Sequence, residues 1–219
     1  KGTVIGITGT NGKTTTTSLT YDIMKRHAKK ALLVGNIEIP YTGYALESDK
    51  DSVTVAEISS FQLETMVTFK PHVTAILNIT PDHLDRHKTL ENYIAIKESI
   101  TKNQDENDFC VLNYNDPVLR EFGKTPRCKV IFFSSSEKLE SGVFLRGDTM
   151  IIKENGVETP VCTTKDTSLV GMHNYENIMA AIAMTHAMGV PLDTIRQGIK
   201  EFTAVEHRIE FVAEKNGVK

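Results

Sequence analysis

A mostly parallel, doubly wound α/β sheet is the fold class predicted for this 219-residue sequence. Short, nearly all-apolar runs recur along it, segments able to form helices separate several of them, and the first run leads into a glycine loop ending in Lys-Thr. The runs cover residues 4–8, 31–34, 53–58, 73–77, 109–112 and 130–133. They are too apolar for strands with one wet face, and strands of that kind lie in parallel sheets covered by helices on both sides. The length allows one large core, with or without a small appendage.

The elements follow in order. Five of the six residues 3–8 are apolar or β-branched, as a buried strand requires. Gly9-Thr10-Asn11-Gly12 then makes a loop, and Lys13-Thr14-Thr15 opens a helix-compatible stretch. A further helix is expected over 90–102. Residues 142–170 change character: GVFLR, Gly147-Asp148, TMIIK, Asn155-Gly156 and VETPVC read as a small antiparallel meander with tight turns. Two helices are expected after it, at 174–188 and 192–202. Residues 208–214 alternate like a strand, and Asn216-Gly217 is a hairpin turn with almost nothing beyond it. The expectation is a piece cut from a longer protein.

A net charge of −3 without a basic run argues against nucleic acid as the main partner. No signal-peptide pattern or membrane-length apolar run occurs. Cys110, Cys128 and Cys162 are odd in number and far apart, which fits a reducing cytosol and packing roles.

Strand, glycine loop, Lys-Thr and helix together build a polyphosphate cradle. Backbone N–H groups wrap the phosphates, the lysine reaches the outer ones, and the hydroxyl takes Mg²⁺. The usual P-loop has Gly six residues before the Lys; Ile7 stands there, so GTNGKT is a shorter variant.

In open α/β sheets ligands bind beyond the carboxyl ends of the strands. Glu57 ends VTVAEI, where it is either a Mg²⁺ ligand or a solvated strand-end carboxylate. After the next strand, residues 78–87 (NITPDHLDRH) form either a binding loop, in which His83 and His87 could ligate a metal, or a capped helix start with exposed histidines. Lys97 falls on the inward stripe of its helix with Leu90, Tyr93, Ile94 and Ile100, so it is paired, chemically altered, or snorkels along the helix edge. Asn174 and Asn177 share one face near a helix start, as base or ribose contacts or as caps. Arg208 could clamp a phosphate or be an exposed strand-end cation.

GTNGKTTTT, Gly35-Asn36-Ile37, EISSFQLE, LNITPDHLDRH, YIAIK, GMHNYEN and VEHRIE occur here in the order found in the Mur ligases, and together the chain resembles the D-glutamate-adding type. The matches run from Gly6 to Arg208. GTNGKT is shared with folylpolyglutamate synthases, and SSFQLE selects the D-glutamate-adding type. The resemblance implies that residues 1–219 are the central ATP-binding domain of a cytoplasmic, monomeric enzyme of peptidoglycan synthesis, with an N-terminal UDP-binding domain and a C-terminal domain absent. It implies that ATP phosphorylates the carboxylate of UDP-N-acetylmuramoyl-L-alanine and that the D-glutamate amine attacks the acyl phosphate, releasing phosphate. The fragment alone is expected to bind nucleotide weakly at most.

The resemblance also implies roles. Gly9, Thr10, Asn11, Gly12, Lys13, Thr14 and Thr15 would hold the ATP phosphates, with Lys13 on the transferred phosphoryl and Thr14 on Mg²⁺. Glu57 would ligate Mg²⁺, and His83 would serve a second ion near the substrate. Lys97 would be carbamylated and ligate Mg²⁺. Asn36 would contact the muramoyl substrate, Asn174 and Asn177 the nucleotide, and Arg208 its phosphate side. Glu38 stands where the family has Gly and puts the substrate loop in question. Another amino-acid ligase of the Mur or folylpolyglutamate type, or a nucleotide-binding module without ligase chemistry, are the alternatives.

Overall fold

The computed structural model describes residues 2–37, 39–44 and 46–203. Glu38, Arg208, the strand-like segment 208–214 and the Asn216-Gly217 turn lie outside the described residues.

The expected strands form as β1 (Thr3–Thr8), β2 (Lys30–Gly35), β3 (Ser52–Glu57), β4 (Val73–Ile76), β5 (Phe109–Asn113) and β6 (Lys129–Ser134), followed by the meander β7 (Gly142–Arg146), β8 (Thr149–Glu154) and β9 (Val157–Thr163). All nine lie in one sheet of order β2-β3-β1-β4-β5-β6-β7-β8-β9. Neighbours are parallel as far as β7, which joins β6 through Phe133 and Ser134, and only β7-β8 and β8-β9 are antiparallel. The meander therefore extends the parallel sheet. Its turns use left-handed backbone at Gly147 (φ 64), Asn155 (φ 52) and Gly156 (φ 79), which glycine and asparagine adopt at least cost.

Helices cover both faces, so both faces of the strands are apolar. On one side Ile5, Ile7, Val73, Ala75 and Val111 pack with Leu19, Ile23, Ile178, Ile182 and Ile195 from α1 (Lys13–His27), α6 (Met172–Ala187) and α7 (Leu192–Glu201). On the other, Val34, Ala56, Ile76 and Leu112 pack with Leu63, Tyr93 and Leu119 from α2 (Ser60–Thr65), α4 (Leu90–Glu98) and α5 (Pro117–Phe122). A short α3 (Leu84–His87) precedes α4. The helix expected over 90–102 tightens into a 3-10 turn at Ser99–Thr101. The cysteines are all buried, as packing residues would be.

Several helix starts are written locally. Ser59 and Gln62 form a capping box on α2, Thr89 accepts from the Asn92 N–H, and Asp116 accepts from the N–H groups of Val118 and Leu119. The start of α1 differs. Its N-cap is Gly12, left-handed at φ 83 and without a side-chain cap, so first-turn donors are left for something else. Among the described residues, no helix is long and apolar enough to cross a membrane.

Candidate active site

β1 ends at Thr8, and the chain turns through Gly9 (φ 149) and Gly12 (φ 83) into α1. The neighbouring strand end holds this loop on its β4 side. Thr10 N–H donates to the Asn78 carbonyl at 3.0 Å, Asn11 N–H donates to Asn78 Oδ1 at 2.8 Å, and Asn78 Nδ2 returns a bond to the Asn11 carbonyl at 3.1 Å. Thr10 Oγ1 donates to the Thr80 carbonyl at 3.1 Å and accepts the Thr80 N–H at 3.0 Å. With its one proton used, it accepts from Tyr93 OH, 3.1 Å away.

Lys13 folds over the loop, donating to the carbonyls of Gly9 at 3.1 Å and Thr10 at 2.8 Å. Lys97 reaches the same place from α4. Its side chain is 1% exposed, and Nζ donates to the Gly9 carbonyl at 2.8 Å and sits 4.7 Å above the centre of the Tyr93 ring. Burial pushes the Lys97 amine down to about 7; the Lys13 charge adds to the drop and the Asp82 carboxylate opposes it. The inward lysine is thus paired rather than snorkelling.

Glu57 closes β3, in register with Ile7 of β1 and Gly35 of β2. It is 2% exposed. Asn36 Nδ2 donates to Oε1 at 3.1 Å, while Oε2 is buried with no hydrogen-bond partner. An unpartnered buried carboxylate oxygen is costly unless a cation takes it, so this donor fits Mg²⁺, a hard ion that prefers oxygen. Thr14, half-buried on the first turn of α1, adds a hydroxyl of the same chemistry. Thr15 is buried behind it.

The two histidines of the polar loop separate. His83 stands at the start of α3 in left-handed backbone (φ 51), its side chain 49% exposed, 3.5 Å from Asp82 Oδ2 and packed on Phe61. His87 is buried, with Nε2 3.0 Å from Ser60 Oγ and Nδ1 3.1 Å from Glu64 Oε1. It anchors α3 to α2, so the two are not a pair aimed at one metal. Among the described residues, no three His, Cys, Asp or Glu side chains gather around one point.

Asn174 and Asn177 lie on the first turns of α6, buried on the other side of the loop. Asn174 Nδ2 donates to the Val170 carbonyl at 2.9 Å, and Asn177 Nδ2 to Asn174 Oδ1 at 3.3 Å. Asn177 packs against Gly12 so closely that a Cβ there would meet its Oδ1 at 2.2 Å. A cavity of about 390 Å³ opens beside them, lined by Asn11, Gly12, Leu77, Phe133, Glu176 and Asn177 among others. The structure thus gathers the loop, Lys97, Glu57 with Asn36, and the two asparagines at the carboxyl ends of the strands, with His83 on the exposed rim; Arg208 is not described. Sequence reading did not single out Tyr93 as a loop contact or Glu176 as a cavity carboxylate. The YIAIK and GMHNYEN motifs contain both, and the motifs were the available signal.

The model of the Mur ligase middle domain matches residues 7–185. The chain belongs to that family. Proteins named UDP-N-acetylmuramoylalanine--D-glutamate ligase are 51% identical to it over 219 residues in Lachnoclostridium phytofermentans and 51% over 218 residues in Lachnospira eligens. Each alignment covers 100% of the chain and 48% of the relative, so this Mur ligase middle domain spans about half the length of the curated relatives it matches. Among solved structures, MurF from Acinetobacter baumannii superimposes with TM-score 0.74 at 21% identity, covering 98% of this chain and 49% of that one. MurF from Thermotoga maritima, solved in complex with ADP, gives TM-score 0.70 at 23% identity over 99% of this chain and 52% of that one. These structures share the fold, the mostly parallel sheet flanked by helices.

Proposed function

We propose that this Mur ligase middle domain binds ATP and serves an enzyme that joins D-glutamate to UDP-N-acetylmuramoyl-L-alanine through an acyl phosphate, releasing ADP and phosphate. The names of its curated relatives support the reaction. The observation that carries the reading is the meeting of Lys13, Lys97 and the glycine loop beside a buried carboxylate with an unpartnered oxygen. Domains outside the described residues would supply most of the substrate contacts. The enzyme acts in the cytoplasm, where ATP is available.

In this reading the N–H groups at the uncapped start of α1 hold the phosphates, those of Thr10 and Asn11 being taken by Asn78. Lys13 leaves the carbonyls of Gly9 and Thr10 for the transferred phosphoryl, so its charge falls where charge develops. Thr14 and Glu57 would hold Mg²⁺, which when bound neutralises phosphate charge. His83 and Lys97 would serve a second ion, Lys97 as its carbamate. An amine at about 7 is substantially neutral at physiological pH, and only a neutral amine adds to carbon dioxide. Asn36, held on Glu57, orients toward the muramoyl substrate, while Asn174 and Asn177 contact the nucleotide.

The test is phosphate release by the natural protein carrying this sequence, with UDP-N-acetylmuramoyl-L-alanine, ATP, Mg²⁺ and a panel of acceptor amino acids. Release should depend on D-glutamate. Preference for another acceptor would overturn the assignment, and nucleotide binding without ligation would leave only a binding module.

A further inference from the structure

The cavity beside the glycine loop has both polar and apolar lining. Asn11 and Gly12 belong to the loop, whereas Leu77 and Phe133 form an apolar wall over the ends of the neighbouring strands, next to Glu176. A nucleotide with its phosphates on the loop would have Leu77 and Phe133 as the apolar surface for its ring and Glu176 as the carboxylate beside it.

Glu176 is held in place. Ser135 Oγ donates to Oε1 at 2.6 Å and Asn113 Nδ2 donates to Oε2 at 3.3 Å. Asn113, 3% exposed, is itself fixed: its Oδ1 accepts the Asn115 N–H at 2.9 Å, and its Nδ2 also donates to the Leu77 carbonyl at 3.2 Å. The accepted N–H assigns the amide orientation, so the nitrogen faces the carboxylate. Each carboxylate oxygen has two lone pairs and uses one on these donors. What remains on each oxygen is a further lone pair, held in place on the cavity wall.

We propose that Glu176 selects the base of the nucleotide by accepting a hydrogen bond from the 6-amino group of adenine. A guanine in the same pose would set its 6-keto oxygen against the carboxylate, acceptor against acceptor, and would be rejected. A site built to bond an amino group loses affinity for the analogue without it, because the bond to the charged acceptor is not made. This inference rests on the ATP-binding reading above.

The experiment is a binding cycle on the natural protein carrying this sequence. ATP is compared with purine riboside triphosphate, which lacks only the 6-amino group, in the wild type and in E176A. Inorganic tripolyphosphate serves as a base-free probe of the loop. The wild type should bind purine riboside triphosphate roughly tenfold or more weakly than ATP, the size of one hydrogen bond to a charged group. E176A should lose the same factor for ATP, show no further loss with the analogue, and bind tripolyphosphate as the wild type does. E176Q, which keeps one acceptor and more of the packing, should fall between the two. If E176A still prefers ATP by the full factor, or the wild type does not discriminate, this inference is wrong and ATP binding stands. If neither ATP nor tripolyphosphate binds the wild type, the ATP reading falls and takes this one with it.

Discussion

Lys97 Nζ donates to the Gly9 carbonyl at 2.8 Å, the same oxygen that Lys13 approaches at 3.1 Å. Two lysines from different helices thus meet on one peptide of the glycine loop.

Burial of Lys97, with the Lys13 charge beside it as a smaller cause, sets a pH dependence of stability. Unfolded, Lys97 titrates near its ordinary 10.5; folded, it is pushed down to about 7. Between those values the unfolded chain binds more protons, so stability rises with pH across the window, and below 7 the cost of the buried ammonium is fully present. Lys97→Met should abolish this contribution. The difference in unfolding free energy between the two proteins, measured by denaturant titration in carbon-dioxide-free buffer at pH 7 and pH 10, should shift toward the wild type at the higher pH. An unchanged difference would mean the burial cost is not there.

Gly12→Ala should damage folding and binding together. The backbone is left-handed at φ 83, and the added Cβ would lie 2.2 Å from Asn177 Oδ1. Strain of about 1–3 kcal/mol is expected, with ATP affinity lowered more than tenfold as α6 is pushed from the loop. Gly156→Ala is the control: it has a similar φ of 79 but nothing within 4 Å of the new Cβ. It should cost about 1–2 kcal/mol and leave ATP affinity unchanged. Thermal melting and calorimetric titration separate the two.

Tyr93→Phe removes the hydroxyl that Thr10 Oγ1 accepts from and keeps the ring under Lys97. A loss of about 1 kcal/mol in stability is expected, since Thr10 keeps both bonds to Thr80. Hydrogen exchange at the loop amides should quicken. Exchange unchanged from wild type would show that the loop is fixed from Asn78 and Thr80 alone.

Glu57→Gln should leave the fold intact and uncouple nucleotide from Mg²⁺. The amide can still accept from Asn36 but no longer carries a charge for the cation. Titrations of ATP with Mg²⁺ and with EDTA should differ in the wild type and converge in the variant. A Mg²⁺ effect of wild-type size in Glu57→Gln would remove Glu57 from the metal site.

Much of this was legible locally. Buried strands announce themselves as apolar runs, the hairpins as Gly147 and Asn155-Gly156, and the loop into α1 as glycines before Lys-Thr. The pairing of β6 with β7 was not, because Phe133 and Ser134 carry no mark distinguishing a partner ahead from one beside. The roles of Tyr93 and Glu176 were also hidden. Tyr93 meets Thr10 from 83 residues away, and Glu176 meets Asn113 from 63, distances over which no periodicity runs. Lys97 could be flagged as anomalous from its helix face, but the Gly9 carbonyl that receives it lies 88 residues away in the chain.

Gly35 and Glu57 are register partners in adjacent parallel strands, and a Cβ on Gly35 would lie 2.1 Å from the Glu57 carbonyl oxygen. The next residue, Asn36, donates its N–H to that oxygen at 2.9 Å and its side chain to Oε1 at 3.1 Å. Sheet alignment here works as a ruler: one step along β2 carries the asparagine from the carboxylate to the opposite face. Length changes in the connection between α1 and β2 should therefore be tolerated only when the strand keeps its count from Lys30 to Asn36.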